Sequence, residues 1–347
     1  MPTAPMDIVS SPAVLVTTRL FDEPATALLQ RHGCRVITSS LPAGDSDLGG
    51  DLLRTLLEPC SAWIVGTASV TREVIKAASR LKVIARRGVG YDRVDTAAAG
   101  ELGRVVTIAA RTNEASVADH TLALMLATAK RLGEAQVAMR GGNWRTFQTG
   151  DLFGKTVGLV GLGKIGRGVA QRLAGFETRI LASDPRPEAE AAARWGVAYV
   201  DFDTVIEQSD FVSLHLPLTP ATRRLVGPDA LNRMKASAIL VNTSRGGLVD
   251  EQALLDALRQ GRLGGAGLDV FEAEDDERAR GLAEALVALP NVIASPHAAG
   301  SSRDALARGN RIAAECVLAV LQGAPLDPAC VVVDGRKGVV SPKVTGR

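Results

Sequence analysis

Two series of short apolar runs, each run followed by a helix-like stretch, constrain this chain more than any other feature of its sequence. The N-terminal third carries "AVLVTT", "RVIT", "AWIVGTA", "LKVIARR" and "RVVTI", with helical patterns such as "EPATALLQRHG" and "REVIKAASR" between them. A second series follows: "KTVGLVG", "TRILASD", "DFVSLHL", "SAILVNT", "GAGLDVF" and "NVIASPH". Short runs that are apolar throughout, not at alternate positions, are what parallel strands buried on both faces look like. Their alternation with helices predicts α/β architecture with doubly wound parallel sheets. At 347 residues there is room for two such domains, and two domains imply a cleft.

Two helical segments are read as the crossings between them. "SVADHTLALMLATAKRL" resembles a long apolar helix opened by a capping box, Ser116 with Asp119, that carries the chain into the second domain. "RDALARGNRIAAECVLAVLQGAPL" reads as a long helix stopped by Gly323 and Pro325 that returns it to the first. The expected division is residues 1–110 with 300–347 in one discontinuous domain and 111–299 in the other.

Charge and composition narrow the partners. Forty basic residues against 38 acidic ones give a net charge of +2, with no basic block of the kind that tracks nucleic acid, so no nucleic-acid partner is expected. Cys34, Cys60, Cys316 and Cys330 form no C-x-x-C pair and read as buried, reduced thiols. His32, His120, His215 and His297 show no ligand spacing, so no metal site is expected, and His120 inside its apolar helix reads as structural. The N-terminus "MPTAPMDIVSSPAVLV" lacks a basic region followed by a long apolar run, and no segment approaches the roughly 18 apolar residues of a membrane helix. The expectation is a soluble, cytoplasmic protein.

Within the second series, "VGLVGLGKIGRG" places Gly161, Gly163 and Gly166 in the spacing G-x-G-x-x-G. A bare glycine triplet is weak evidence in a chain with 35 glycines. Here it stands between a strand, "KTVGLV", and a helix whose Ile165, Val169, Leu173 and Phe176 share one face. In that context Gly161 makes the turn, Gly163 lets a pyrophosphate approach the backbone, and Gly166 packs helix against strand, with the helix N-terminus facing the phosphates. Asp184, one helix and one strand past Gly166 at the end of "TRILASD", would accept the ribose hydroxyls and repel a 2′-phosphate, which favours NAD over NADP; Arg186 just beyond softens that preference.

Ligands of open parallel sheets sit beyond the carboxyl ends of the strands. Arg245 follows "AILVNTS", Glu274 follows "AGLDVFEA", and His297 follows "NVIAS" through Pro296. Each alone has an ordinary explanation as a surface or loop residue. Together they are the groups that reduction of a 2-oxo acid needs. A guanidinium grips the carboxylate with two parallel hydrogen bonds. An imidazole gives its proton to the oxygen that becomes the hydroxyl, and a carboxylate beside it fixes its tautomer and raises its pKa.

At these residues the chain resembles the D-isomer-specific 2-hydroxyacid dehydrogenases, a family that includes phosphoglycerate dehydrogenases and glyoxylate and hydroxypyruvate reductases. The likeness covers about residues 60 to 325 and rests on "LKVIARRGVGYDRVD", "SVADHTLALML", "GKTVGLVGLGKIG", "LVNTSRGGLVDEQAL", "GAGLDVFEAE" and "SPHAAGSS". The spacing from Arg245 to Glu274 and on to His297 is also similar to the family's arrangement. The resemblance implies two Rossmann-like domains, an NAD domain inserted into a discontinuous, flavodoxin-like substrate domain. It implies Arg245, Glu274 and His297 as the catalytic set, and cofactor contacts from Lys164, Ile165, Asp184, Leu216, Thr243, Ser244 and Asp269. Asp269 would lie beside the carboxamide and the oxidised ring, or else cap its strand. Backbone amides of Gly88, Val89 and Gly90 would bind the substrate carboxylate, and homodimers would form through the long helix starting near Ser116.

Departures from the family pattern bear on the substrate. Phosphoglycerate-specific members carry an arginine after the strand resembling "AWIV", where this chain has Gly66 and Thr67; Arg86 and Arg87 are partial substitutes. Beyond Gly300 there is sequence only for the closing helix and a tail, so no C-terminal regulatory domain is expected. Formate dehydrogenases carry glutamine at the place of Glu274, and phosphite dehydrogenases a lysine in the loop "RRGVGYD", which disfavours both. The expected activity is NAD-dependent hydride transfer between NADH and a small 2-oxo acid, such as glyoxylate or hydroxypyruvate. The alternatives are a phosphoglycerate dehydrogenase lacking the regulatory domain and, in another class, an NAD(H)-sensing binding protein of corepressor type.

Overall fold

The computed structural model describes residues 11–38, 50–274 and 276–337; the two ends, residues 39–49 and Asp275 of the acidic run lie outside the described residues. The chain divides into two compact units. The first contains the described residues up to Asn113 and those from Ser302 onward, and the second is Glu114–Ser301.

In the first unit, β1 (Ala13–Val16), β2 (Arg35–Thr38), β3 (Cys60–Val65), β4 (Val83–Arg86) and β5 (Val105–Ile108) pair in parallel in the order β2-β1-β3-β4-β5. This is the flavodoxin-like order. Alternate residues of each strand supply two cores. Leu15, Trp63 and Ile84 meet helices carrying Leu57, Ile75 and Ala98 on one face. Val14, Ile64 and Ala85 meet Leu29, Ala314 and Val317 on the other. Because both faces are covered, the strands can be apolar at every position.

The second unit adds β6 (Thr156–Val160), β7 (Arg179–Ser183), β8 (Val197–Tyr199), β9 (Phe211–Leu214), β10 (Ile239–Asn242), β11 (Gly265–Leu268) and β12 (Val292–Ala294), all parallel, in the order β12-β11-β10-β9-β6-β7-β8. The order reverses between β6 and β9, the switch point at which doubly wound sheets take their ligands. Val157, Leu159 and Val241 pack on the helices Glu114–Ala129 and Lys164–Leu173. Val160, Leu240 and Leu268 pack on the opposite layer through Leu254, Leu258 and Leu286.

Four features differ from the sequence reading or escaped it. The Glu114–Ala129 helix begins before Ser116, whose hydroxyl donates to the Ala299 carbonyl at 2.7 Å while Asp119 pairs with Arg172, so these two residues are tertiary ties and form no capping box. The helix Arg303–Gln322, in contrast, stops as its sequence indicated, on Gly323 in the left-handed region at φ 69°, and it packs in the first unit. Beyond it, β13 (Val331–Asp334) pairs antiparallel with β5, giving an otherwise parallel sheet one antiparallel edge. The chain enters that helix from the other unit and not from a strand of this sheet, so no βαβ crossover sets the direction of β13. Edge strand β8 and the helix Gly50–Leu57 are too short to stand out as periodic patterns.

Candidate active site

The carboxyl ends of β6, β7 and β9 form a cradle around the glycine motif. Gly161 leaves β6 at φ 95°, a conformation L side chains rarely adopt, and a β-carbon there would lie 2.5 Å from the His215 carbonyl oxygen at the end of β9. A β-carbon on Gly166 would lie 2.3 Å from the Gly161 carbonyl oxygen, so helix and turn touch backbone to backbone. Beside Gly163 there is open space. The three glycines therefore do three different things, and the one facing open space is the one a pyrophosphate would approach.

Gly163 is also the N-cap of the Lys164–Leu173 helix and offers it no side-chain cap, leaving the first-turn N–H groups to a ligand. Lys164 starts that helix 4.0 Å from Glu114, and Ile165 turns inward against the core. Asp184 stands just past β7. Its carboxylate accepts from the Leu162 N–H at 2.7 Å and the Arg186 N–H at 2.8 Å, which braces the glycine turn and keeps a negative charge beside it. At the end of β9, Leu216 packs on the core, and burial pushes His215 down to about 4, so its imidazole is neutral and hydrogen-bonds Ser213 at 3.0 Å. A backbone cradle, an uncapped helix N-terminus and a carboxylate at the second strand end fit a dinucleotide.

Strands β10, β11 and β12 are successive neighbours, so residues beyond their ends gather in one place. After β10, buried Asn242 shapes the turn: its amide donates to the Arg245 carbonyl at 2.8 Å and its oxygen accepts from the Ser244 N–H at 3.0 Å. Ser244 ties this turn to β9 through the Leu214 carbonyl, and Thr243 meets Thr121 at 3.0 Å. Arg245 is presented half-buried from this turn.

Asp269, just beyond β11, is 1% exposed, and both its oxygens are occupied. One accepts from Ser295 Oγ at 2.5 Å and the Ala298 N–H at 2.8 Å, the other from the Ala299 N–H at 2.9 Å. Asp269 thus organises the 295–299 turn that carries His297. His120 joins through Ser295 at 2.8 Å. Nothing in the sequence marked Ser295 or His120 for this, since the partners are 26 and 175 residues away.

His297 itself sits at φ 51°, a left-handed conformation that costs a non-glycine residue on the order of 1 kcal/mol or more and concentrates at functional sites. Its N–H donates to the Asp269 carbonyl at 2.8 Å, which holds the strained turn. Its Nδ1 lies 2.5 Å from Glu274 Oε2. A carboxylate can only accept, so Nδ1 carries the proton, and Nε2 is left for exchange with a ligand. The hydrogen bond to Glu274 raises the His297 pKa against the opposing effect of burial and the Arg245 charge. Burial pushes the Glu274 carboxyl up, but His297, the Phe271 N–H and Arg245 together hold it below its ordinary value. Both side chains stay accessible, His297 at 51% and Glu274 at 35%.

In the first unit, the turn after β4 contains Gly88, Val89 and Gly90. It is braced by Arg86 Nε on the Gly90 carbonyl at 2.8 Å and by the Ala109 N–H on the Gly88 carbonyl at 3.1 Å. After β3, Arg93 donates to the Thr67 carbonyl at 3.2 Å.

Comparison with known proteins follows the same lines. Residues 122–299 match the family model of the D-isomer specific 2-hydroxyacid dehydrogenase, NAD binding domain. A D-3-phosphoglycerate dehydrogenase of Mycobacterium leprae is 38% identical over 335 residues, 96% of this chain, which spans only 61% of that relative's length. A hydroxypyruvate reductase of Thermotoga maritima is 39% identical over 83% of this chain and 91% of its own. The crystal structure of a Thermus thermophilus protein matches at a TM-score of 0.82 and 37% identity, over 92% of this chain and 100% of that one. A family model across just over half of the chain, and a relative matched along nearly its whole length, establish that this chain belongs to the D-isomer specific 2-hydroxyacid dehydrogenase family.

Proposed function

We propose that the protein is an NAD-dependent oxidoreductase that interconverts a small 2-oxo acid and its D-2-hydroxy acid. The observation that carries this reading is the 2.5 Å pair of His297 Nδ1 and Glu274 Oε2, with the Arg245 charge acting on both. Arg245 binds the substrate carboxylate through its two-pronged guanidinium. His297 gives its Nε2 proton to the substrate carbonyl oxygen, and Glu274 stabilises the imidazolium before that transfer. Bound NADH supplies the hydride. In the oxidative direction His297 takes the hydroxyl proton back.

Gly161, Gly163, Lys164, Ile165 and Gly166 hold the pyrophosphate in this reading, Asp184 the ribose, and Leu216, Thr243 and Ser244 the remaining cofactor surface. Asp269 meets the cofactor's carboxamide end from beyond β11 while it also holds the 295–299 turn, with three donors on an acceptor that can take about four. The first unit is the substrate domain, and the amides of Gly88, Val89 and Gly90 bind the substrate carboxylate. A small, uncharged substrate side chain is favoured because Gly66 and Thr67 stand where phosphoglycerate-specific members carry an arginine, and the nearby guanidiniums of Arg86 and Arg93 are drawn to the Gly90 and Thr67 carbonyls. Phosphohydroxypyruvate is the competing substrate, on the strength of the mycobacterial relative.

The assembly is a homodimer. The Glu114–Ala129 helix, to which the family resemblance assigned the dimer contact, spends its Leu122, Leu124 and Met125 inside the second unit. Five of the eight large exposed apolar residues among the described ones follow it: Leu132, Val137, Met139, Trp144 and Phe153. The four free, buried cysteines are in keeping with a cytoplasmic location.

The test is NADH oxidation by the purified protein against glyoxylate, hydroxypyruvate, pyruvate and phosphohydroxypyruvate, with His297→Ala alongside. One acid turned over by the wild type and lost in the variant supports the reading and names the substrate. NADH binding without turnover of any acid would replace it with a cofactor-sensing role.

A further inference from the structure

Glu251 opens the helix Glu251–Arg259, a place where a glutamate ordinarily reaches into solvent and complements the helix dipole. Here it is 4% exposed. It is not needed as a cap, because Asp250 already takes the Ala253 N–H at 3.0 Å. Its Oε1 instead accepts the Glu272 N–H at 2.6 Å, across 21 residues, while Oε2 is buried with no hydrogen-bond partner among the described residues. A buried carboxylate with half its bonding capacity unused is costly and calls for a reason.

The reason lies in what Glu272 begins. Residues Glu272–Glu274 form the single 3-10 turn that presents Glu274 to His297. The Phe271 N–H at its start is taken by Glu274 Oε1 at 2.9 Å, and the next N–H is taken by Glu251. From another side the turn is pressed by the backbone of Gly246, where a β-carbon would come within 2.1 Å of the Phe271 carbonyl carbon. The Glu272 side chain is engaged by Arg223 at 3.2 Å and Arg224 at 3.6 Å. Glu251 thus supplies the inner fixed point of a turn that is otherwise held at its surface.

We propose that Glu251 is a positioning residue: its buried carboxylate pins the 272–274 turn and thereby keeps Glu274 Oε2 against His297 Nδ1. This rests on the reading of His297 as the proton donor. The anchor works through an acceptor atom and not through charge. Burial, with the charges of Glu272 and Glu274 adding to it and the Glu272 N–H and Arg224 opposing, pushes Glu251 up to about 6. A proton taken on Oε2 leaves Oε1 free to accept the same N–H. A hollow of about 410 Å³ lined by Arg224, Asp250, Asp256, Glu272 and Glu251 gives that proton a route in.

The experiment compares Glu251→Ala and Glu251→Gln in the full chain by NMR titration of the His297 imidazole, by the kinetics of the best 2-oxo acid, and by NADH affinity. In Glu251→Ala the His297 titration falls toward the ordinary imidazole value of about 6.5, and kcat drops on the order of 10-fold with KM and NADH affinity little changed. Glu251→Gln, which keeps a carbonyl oxygen at the anchor, restores both. Should Glu251→Ala not fold, Glu251→Asp, too short to reach the Glu272 N–H, takes its place. An unchanged His297 titration in the alanine or aspartate variant overturns the proposal, and so does a Glu251→Gln variant as impaired as Glu251→Ala. If no acid is turned over by the wild type, the titration still decides the role of Glu251 and only the catalytic reading fails.

Discussion

His297 and Glu274 meet Nδ1 to Oε2 at 2.5 Å across the ends of two adjacent strands, and each moves the other's pKa away from its ordinary value. With the His297 pKa raised, the pair's contribution to stability is fully present below the ordinary imidazole value and fades as pH climbs through the raised one. With the Glu274 pKa lowered, its contribution is present above the ordinary carboxyl value and is lost as pH falls through the lowered one. The pair therefore supports the fold and the protonated donor together between those limits. The rate of 2-oxo acid reduction should hold up to the raised His297 pKa and fall above it, and Glu274→Gln should move that fall to lower pH. A pH series of kcat for both proteins checks this; coincident alkaline limbs would sink the pairing as the source of the raised pKa.

Arg245 is held by a turn whose polar groups are engaged from Asn242 to the Ser244 hydroxyl, so its position does not depend on a ligand. Arg245→Lys keeps the charge and loses the fork. KM for the oxo acid should rise roughly 10- to 100-fold while NADH affinity is unchanged, because a lysine cannot form two parallel bonds to a carboxylate. Steady-state kinetics beside NADH fluorescence titration separates the two effects.

Buried Gly246 has backbone for neighbours, with Phe271 C and Glu272 N at 2.1 and 2.3 Å from the position of an added β-carbon. Gly246→Ala should push the Arg245 turn and the Glu274 turn apart. The expected signs are a lower Tm, equivalent to about 1–3 kcal/mol of overpacking, and a loss of kcat beyond that of a surface glycine control such as Gly281→Ala. An active Gly246→Ala enzyme of unchanged Tm would mean that the two turns are not coupled.

Local patterns exposed the fold in the sequence, and the strand ends at which the candidate site residues gather, because they encode local causes. Three glycines in a short span report a turn, an open backbone and a helix–strand contact, and Arg245, Glu274 and His297 each follow an apolar run that is a strand end. What stayed hidden depends on distance along the chain. Glu251 looks like any acidic residue in a first helical turn until its oxygen is found on an N–H 21 residues away. Ser116 and Asp119 have the spacing of a cap, yet their partners are Ala299 and Arg172. Cys316 and Cys330 share one buried cluster with Ala110 although nothing in their spacing pairs them. The antiparallel direction of β13 depends on which unit the preceding helix comes from, which no local periodicity records.

Asp184 braces the glycine turn through the Leu162 N–H at 2.7 Å, and the proposed function gives it the ribose hydroxyls as well. Asp184→Ala removes both the brace and the charge that repels a 2′-phosphate. NADH affinity should weaken, and the preference for NADH over NADPH should shrink on the order of 10-fold, with exposed Arg186 favouring the phosphate. Calorimetric titration with both cofactors decides it. An equal loss for both would assign Asp184 to the turn alone.

The helix Leu132–Arg140 has no buried residue and leaves Leu132, Val137 and Met139 exposed, the first two at 53% and 72%, and Trp144 and Phe153 beyond it are exposed as well. Scattered apolar side chains are ordinary on a protein surface, but five large exposed ones between Leu132 and Phe153 are concentrated along the chain, and the reading proposed above takes them as one patch that a partner covers. A second copy of the chain is the partner proposed above, and a closed two-fold contact would bury the same helix on both sides. Sedimentation velocity should show a dimer for the wild type and a monomer for Val137→Glu combined with Trp144→Ser. Because the residues that hold His297 and Glu274 lie elsewhere in the second unit, the monomer should keep its NADH affinity. A wild type that sediments as a monomer would leave the patch without the partner assigned to it.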